Sequence, residues 1–352
     1  MTLRVAMVGC GYFGQFHLNA WARLPEVTLV GIVESSEARR AELANLHPEV
    51  ETFPDIITLM AEGAVDLLDV TTPPATHDAI IRPLLGEIKT IICQKPFCKD
   101  LAEAEALSRD ADASGTLLIV HENFRFMPWY RKIADLIEAG TLGTIRQAHF
   151  KLRPGDGGGK DAYLARQPYF RDMKQFLIHE TGIHWIDTFR YLFGEPSAAY
   201  ADIWRTNPII AGEDSGLLIL TFGEDMRVTF DGNRTLDHAA DNPRLTMGEF
   251  WVEGSEATIT LDGFGTLNLR KRRENNTQPI PYDLNDTDFG GDCVFLFQRH
   301  VVDHLLQDDA LETKATDYVK NIRIEHAVYR SADEGRRIAL ENRHQTSATK
   351  GH

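Results

Sequence analysis

Hydrophobic positions in the first 122 residues form short apolar runs that alternate with stretches of helical spacing. Residues 3–9 are nearly all apolar and end in glycine, the pattern of a buried strand. Positions 15–24 carry Phe16, Ala20 and Leu24 at helical intervals, with Pro25 just beyond. The same reading predicts strands at 27–34, 65–71, 90–93 and 116–121, and helices at 36–46, 76–85 and 101–114. Alternation of this kind predicts a parallel sheet with helices on both faces, an α/β Rossmann domain over residues 1–122.

The pattern then changes. Helices are predicted at 127–139 and 178–193, a strand at 145–152, and an irregular loop rich in glycine at 151–174. From 199 to about 272, strands such as 217–222, 226–230, 250–252, 257–261 and 266–269 alternate with tight turns at Gly223-Glu224-Asp225, Gly254-Ser255 and Asp262-Gly263. Helices at 293–306 and 316–341 complete an α+β domain over residues 123–341. Its sheet is expected to be large, open and mostly antiparallel, and its last helix is free to pack back on the first domain. Residues 342–352 lack any apolar period and are expected to be a flexible tail. An antiparallel sheet can leave one face uncovered. Trp251, Leu267 and Leu269 are read as apolar positions on that face, so a homo-oligomer, dimer or tetramer, is expected to form through it.

Composition narrows the function classes. A formal net charge of −15 argues against nucleic acid and anionic membrane as partners. No apolar run approaches the ~18 residues of a membrane helix. The four cysteines, Cys10, Cys93, Cys98 and Cys293, include no Cys-x-x-Cys pair, which argues against a structural zinc site and a disulfide framework. With no leader pattern before the first strand, the expected compartment is the reducing cytoplasm.

Gly9-Cys10-Gly11-Tyr12-Phe13-Gly14 fits G-x-G-x-x-G, and it has a predicted strand before it and a predicted helix after it. The first glycine makes the tight turn, the second lets a pyrophosphate approach the backbone, and the third lets the helix pack on the strand. The helix N-terminus offers free N–H groups to the phosphates. Glu34 follows Gly14 by twenty residues, at the end of the second predicted strand, where a carboxylate accepts hydrogen bonds from an adenosine ribose. This favours NAD. The neighbouring Ser35, Ser36, Arg39 and Arg40 keep NADP as the alternative.

Further patches carry a family resemblance. They are Thr71-Thr72-Pro73-Pro74 with His77; Gln94-Lys95-Pro96; Asn123-Phe124-Arg125-Phe126; and Glu180-Thr181-Gly182-Ile183-His184 with Asp187. Together with the glycine turn, they make nearly the whole chain resemble the glucose-fructose oxidoreductase, inositol dehydrogenase and rhizopine-catabolism (Gfo/Idh/MocA) oxidoreductases. The resemblance implies an NAD(P)-dependent sugar or polyol dehydrogenase. Two departures stand out: Gln94 where the family usually has glutamate, and Glu180 where it usually has aspartate.

Oxidising an alcohol by hydride transfer needs a cofactor, a base for the hydroxyl proton and an oriented substrate. Lys95 lies just past a predicted strand, at the edge where ligands of open α/β sheets bind. The resemblance implies that it contacts both cofactor and substrate. A lysine acting as base near neutral pH needs its pKa brought from ~10.4 to about 7, roughly 4.6 kcal/mol. Lys95 is therefore cast as proton relay and electrostatic stabiliser. The imidazole of His184, with an ordinary pKa near ~6.5, suits the base. Helical spacing places Glu180 on the same face as His184, where it can orient the ring. His179 and His184 are five apart and share a face poorly, so no metal is expected. Thr71, Thr72, Pro73, His77 and Gln94 join the glycine turn as expected cofactor contacts. Asn123, Arg125, Asp156 and Tyr163 join Lys95, Glu180 and His184 as expected substrate contacts, with pairing to an acidic helix as the alternative for Arg125 and helix capping for His77. Asp156, Lys160, Asp161 and Tyr163 lie in the glycine-rich loop, read as a lid or as a plain flexible loop. Two readings compete with a dehydrogenase: tightly held NAD used transiently to cleave a glycosidic bond, and a non-catalytic sensor of NAD or sugar.

Overall fold

The computed structural model describes residues 2–285 and 287–340, so the expected tail at 342–352 lies outside the described residues. The chain divides into two compact units. One comprises Met1–Met127 with Thr287–Ile322, and the other Pro128–Asp286 with Arg323–His352.

The first unit is built on six parallel strands, β1 (Leu3–Val8), β2 (Val27–Val33), β3 (Thr52–Phe53), β4 (Leu67–Val70), β5 (Thr90–Gln94) and β6 (Leu117–His121). Their order in the sheet is β3-β2-β1-β4-β5-β6, so the direction of strand succession reverses between β1 and β4. The central strands are apolar runs because both faces are covered: Val5, Ala6, Met7, Leu67, Leu68, Ile91 and Ile92 have no exposed surface. The connections are α1 (Gly14–Ala22), α2 (Glu37–Leu46), α3 (Ile56–Glu62), α4 (His77–Ile81) and α5 (Leu101–Ser114). Ser36, Asp55 and Asp100 cap α2, α3 and α5 by accepting a hydrogen bond from a backbone N–H three residues on. The short β3 and α3 are absent from the periodicity reading, because two strand residues and seven helical ones give too little pattern to register.

The second unit begins with α6 (Pro128–Glu138) and continues through β7 (Ile145–Leu152) to α7 (Ile183–Phe193). It contains a nine-stranded sheet with β8 (Ala198–Trp204), β9 (Ser215–Phe222), β10 (Met226–Asn233), β11 (Gly248–Gly254), β12 (Ala257–Leu261), β13 (Leu267–Lys271), β14 (Gln278–Pro279) and β15 (Ile338–Ala339). The order is β14-β13-β12-β11-β7-β10-β9-β8-β15, and only the β7–β10 pair is parallel. Register sorts the side chains into two faces. Ala201, Leu218, Phe230, Phe150, Phe250, Leu261 and Leu267 form one cross-strand row and are all buried. Trp185 and Phe189 of α7 pack on that row, with the Trp185 and Phe150 rings 4.3 Å apart. The opposite row runs Tyr200, Ile219, Thr229, His149, Trp251, Thr260 and Asn268.

This corrects the expected make-up of the open face. Leu267 and Leu269 belong to the covered row, since each is two residues from the other on one strand and Leu267 is fully buried. Trp251 alone of the three lies on the other face. There the exposed large apolar side chains include Tyr200, Trp204, Leu217 and Ile219.

Two more helices complete the fold. α8 (Phe289–Gln307) belongs to the first unit, although sequence order assigned it to the second domain. Its first turn contains Gly290, Gly291 and Asp292 at positive φ, and the buried Asp292 carboxylate receives both terminal nitrogens of Arg23, the residue just after α1, at 2.8 and 2.5 Å. α9 (Ala315–Glu334) starts in the first unit and ends in the second. It stops at Glu334 rather than at 341. Gly335 takes φ +63°, and β15 then pairs with β8.

Candidate active site

In the first unit, the loops that leave β1, β4 and β5 lie side by side at the carboxyl edge of the sheet. Gly9 adopts φ +83°, and a Cβ there would sit 2.9 Å from Thr72 Cγ2. A Cβ on Gly14 would come within 2.9 Å of Thr71 Oγ1, so only glycine lets α1 approach the β4 loop this closely. A Cβ on Gly11 would meet nothing within 4 Å, which leaves open space over the turn. Thr71 Oγ1 donates to the Gly9 carbonyl at 2.7 Å and ties the two loops together. This is a cradle of the shape a dinucleotide pyrophosphate needs, at the point where strand order reverses.

The flanking side chains are held individually. Tyr12 is exposed, whereas Phe13 packs on Phe16 and on Phe289 of α8. One Glu34 carboxylate oxygen accepts from Ser36 N–H at 3.0 Å, and Arg40 donates to the carbonyls of Glu34 and Ser35. Arg39 reaches back over the turn to the Cys10 carbonyl at 2.9 Å and also pairs with Glu42. Burial pushes the Cys10 thiol up to about 11, so it stays protonated and neutral beneath the turn. His77 is buried between the carbonyls of Phe97 and Thr72, at 2.9 and 2.7 Å from its two ring nitrogens. Burial holds its pKa below the ordinary value although both carbonyls oppose this. His77 therefore braces the backbone of Thr72 beside exposed Pro73.

Lys95 follows β5 directly and is half-buried. Its backbone N–H donates to the side chain of Gln94 at 2.6 Å. β5 and β6 are in register with Gln94 beside His121, which puts Glu122 at the end of the strand next to Lys95. Sequence reading passed over Glu122. Its carboxyl is wholly buried and accepts from Phe124 N–H at 3.2 Å. Burial pushes its pKa up to about 7, against the opposing charges of Lys95 and Arg125. Its strand-end position alone did not mark it, since the neighbour Lys95 is met only once β5 and β6 pair. Asn123 donates to Cys293 Sγ at 2.9 Å, and Arg125 pairs with Glu312 at 3.1 Å.

In the second unit, the segment carrying Glu180 is not the start of a regular α-helix. Residues Leu177–Gly182 form a π-turn, and Ile183 N–H bonds back to the Ile178 carbonyl, five residues earlier. The turn is clamped from several directions. Buried Glu213 accepts from Phe176 N–H and Ile178 N–H, both at 3.1 Å, and from the Tyr329 hydroxyl at 2.6 Å. Tyr329 in turn accepts from His179 N–H, and the His179 ring bonds Glu325 at 2.6 Å. The partner Glu325 is what engages His179. Among the described residues, no group of three or more His, Cys, Asp or Glu side chains is placed to hold a metal ion. Glu180, His184 and Asp187 are all buried, and His184 is the second residue of α7.

Asp156 and Tyr163 belong to an internal cluster rather than to a plain loop. The Asp156 carboxylate receives Arg234 at 3.1 and 2.6 Å and Arg166 at 2.8 Å. Those guanidiniums hold its pKa below the usual carboxylate range despite burial. Tyr163 is buried against Phe170 and Phe176, with its hydroxyl 3.3 Å from Asp156. Arg234, also passed over in the sequence, lies within 5.5 Å of three aromatic rings and donates to Thr181 Oγ1 at 2.5 Å. The cluster thus grips the π-turn between Glu180 and Gly182. Lys160 and Asp161 remain on the surface.

Comparison with known proteins follows the same division. The family model described as oxidoreductase family, NAD-binding Rossmann fold, matches residues 3–122, and that of the GFO/IDH/MocA C-terminal domain matches residues 130–260. D-apiose dehydrogenase of Paraburkholderia graminis is 27% identical over 342 residues, 96% of this chain and 89% of its own. The scyllo-inositol 2-dehydrogenase (NADP(+)) of Bacillus subtilis is 24% identical, with 97% of each chain covered. The crystal structure of an oxidoreductase from Agrobacterium radiobacter in complex with NAD+, L-tartaric acid and magnesium is similar with a TM-score of 0.86 at 25% identity, over 96% of this chain and 98% of that one.

Proposed function

The chain belongs to the Gfo/Idh/MocA oxidoreductase family and has its NAD-binding Rossmann domain, and on that premise we propose that it oxidises one ring or anomeric hydroxyl of a sugar or cyclic polyol. The observation that carries this reading is the cradle at the strand-order reversal. There Gly9, Gly14 and Thr71 are packed together, Gly11 is open, and Lys95 stands at the end of the neighbouring β5. The relatives named dehydrogenases of D-apiose and scyllo-inositol, matched over nearly the whole chain, support the substrate class.

When bound, NAD supplies the hydride acceptor. The backbone of Gly9–Gly14 and the N-terminus of α1 hold the pyrophosphate. Glu34 and Ser35 take the adenosine ribose, and Thr71, Thr72 and Pro73, braced by His77, line the nicotinamide ribose side. Tyr12, Phe13 and Gln94 shape the borders. His184 accepts the hydroxyl proton, with Glu180 orienting its ring and stabilising the charge it gains. Lys95 stabilises the developing alkoxide and relays the proton. Asn123, Arg125, Asp156 and Tyr163 each have a partner within their own unit, and we assign them to framing the substrate side rather than to gripping hydroxyls directly.

An oligomer through the face bearing Tyr200, Leu217 and Ile219 belongs to the same proposal, since a patch of this kind is usually covered by another subunit. No described helix is long and apolar enough to cross a membrane, and all four cysteines are free and buried, which supports a reducing cytoplasm as the compartment.

The test is nicotinamide absorbance with purified protein, NAD or NADP, and a panel of aldoses including D-apiose, inositols and aldonates. A rise with NAD and one of these compounds is expected. A rise with NADP alone would overturn the Glu34 argument. Absence of any rise while cofactor binds would move the reading to tightly held NAD or to a sensor.

A further inference from the structure

A buried chain of hydrogen bonds ends on Lys95, and its direction follows from one backbone atom. The Lys95 backbone nitrogen carries a hydrogen and lies 2.6 Å from Gln94 Oε1. That oxygen accepts, so the other terminus of the Gln94 amide is its NH2 group. Gln94 Nε2 lies 2.9 Å from His17 Nε2, which must therefore offer a lone pair. An imidazole that accepts at Nε2 carries its hydrogen at Nδ1. His17 Nδ1 lies 2.8 Å from Asp69 Oδ2, the oxygen to which Trp21 Nε1 also donates at 2.7 Å. His17 and Asp69 are wholly buried. The His121 ring lies tilted against His17 with centroids 3.9 Å apart, and Gln298 donates to the His17 carbonyl at 3.2 Å.

Every link is satisfied only when the hydrogens point one way, from Lys95 N–H toward Asp69, with His17 neutral. We propose that Gln94, His17 and Asp69 are positioning residues for Lys95, and that the amide at position 94 is what keeps His17 in its neutral Nδ1–H form. A carboxylate at 94 accepts only. It would take hydrogens from both Lys95 N–H and His17, and His17 would then donate from both nitrogens as an imidazolium between two carboxylates. One atom of one side chain thus sets the charge state of a buried group behind Lys95. The proposal rests on the reading of Lys95 as a catalytic residue.

The experiment uses the full chain labelled with 15N-histidine, the variants Gln94→Glu and Gln94→Leu, and Lys95→Ala as control. Long-range 1H–15N spectra of the parent are expected to show one histidine with Nδ1 protonated and Nε2 bare. In Gln94→Glu the same residue is expected to hold both protons. Gln94→Leu, which removes the acceptor for Lys95 N–H, is expected to lower kcat, measured at saturating NAD with the most active compound of the panel, by about ten- to hundredfold. Gln94→Glu keeps that acceptor and is expected to retain most of the turnover that Gln94→Leu loses. A parent His17 protonated at Nε2 would overturn the proposal, as would a Gln94→Leu enzyme with parental kcat. Full activity in Lys95→Ala would instead remove the reading of Lys95 and leave the tautomer of His17 standing.

Discussion

The two units hold the residues proposed for the chemistry by different means. Around Lys95 the support is mostly neutral: glycine backbone, the Thr71 hydroxyl, the Gln94 amide and the imidazoles of His17 and His77. Around Glu180 and His184 the support is a buried cluster of full charges, with Arg234, Asp156 and Arg166 gripping a π-turn through Thr181. Neutral links tolerate the loss of one partner at the cost of a hydrogen bond, about 1 kcal/mol. A buried charge deprived of its partner costs several times more. Damage at the first site should therefore register in catalysis and cofactor binding before it registers in stability, whereas damage at the second should do the reverse.

The largest expected effect is on turnover. Lys95→Ala should lower kcat by about 10⁴-fold, near 5.5 kcal/mol, while NAD still binds as judged by fluorescence titration. Retained activity would break the assignment of this lysine. Next comes Arg234→Met, expected to destabilise by about 3–5 kcal/mol in denaturant unfolding because Asp156 loses its main partner. A loss below about 1 kcal/mol would show that the charge cluster is not what holds the π-turn.

The third prediction concerns Glu122, the one strongly perturbed carboxyl beside Lys95. Its folded pKa of about 7 lies above its ordinary value of 4.5, so between those pH values the folded protein binds more protons than the unfolded chain. Stability should then fall as pH rises through that window, by about 3 kcal/mol in all, and change no further above it. In Glu122→Gln that loss should vanish, which urea unfolding at pH 5 and pH 8 would reveal. Parent and variant with the same pH dependence would remove Glu122 from the account. The smallest effect is expected from Glu34→Ala. Losing the ribose contact should weaken NAD binding by about tenfold, or 1.4 kcal/mol, with little change for NADP. Equal losses for both cofactors would overturn the selectivity argument.

How legible each part was follows the same division. The helix at 101–114 and the strands at 145–152 and 257–261 match the structure to the residue, because long or strictly alternating patterns carry their own signal. Gly9, Gly11 and Gly14 were interpretable because each answers to a local demand of the backbone. Glu122 and Arg234 had no local signature. A lone charged residue at a strand end looks like any solvated one until neighbouring strands enclose it.

By itself, the sequence determined the alternation that makes a parallel sheet and the antiparallel meander after it. It also determined the glycine turn and the family resemblance. These follow from periods of 2 and 3.6 and from conformations that only glycine readily adopts, all of them properties of short segments. Tertiary structure alone decided that α8 joins the first unit, that Leu267 faces inward, and that Leu177–Gly182 opens into a π-turn. It alone also decided which way the hydrogens run from Lys95 to Asp69. Most of these depend on partners far apart in the chain, such as Arg23 with Asp292, 269 positions apart, and Gln94 with His17, 77 positions apart. Burial and hydrogen-bond satisfaction are settled only when those partners meet.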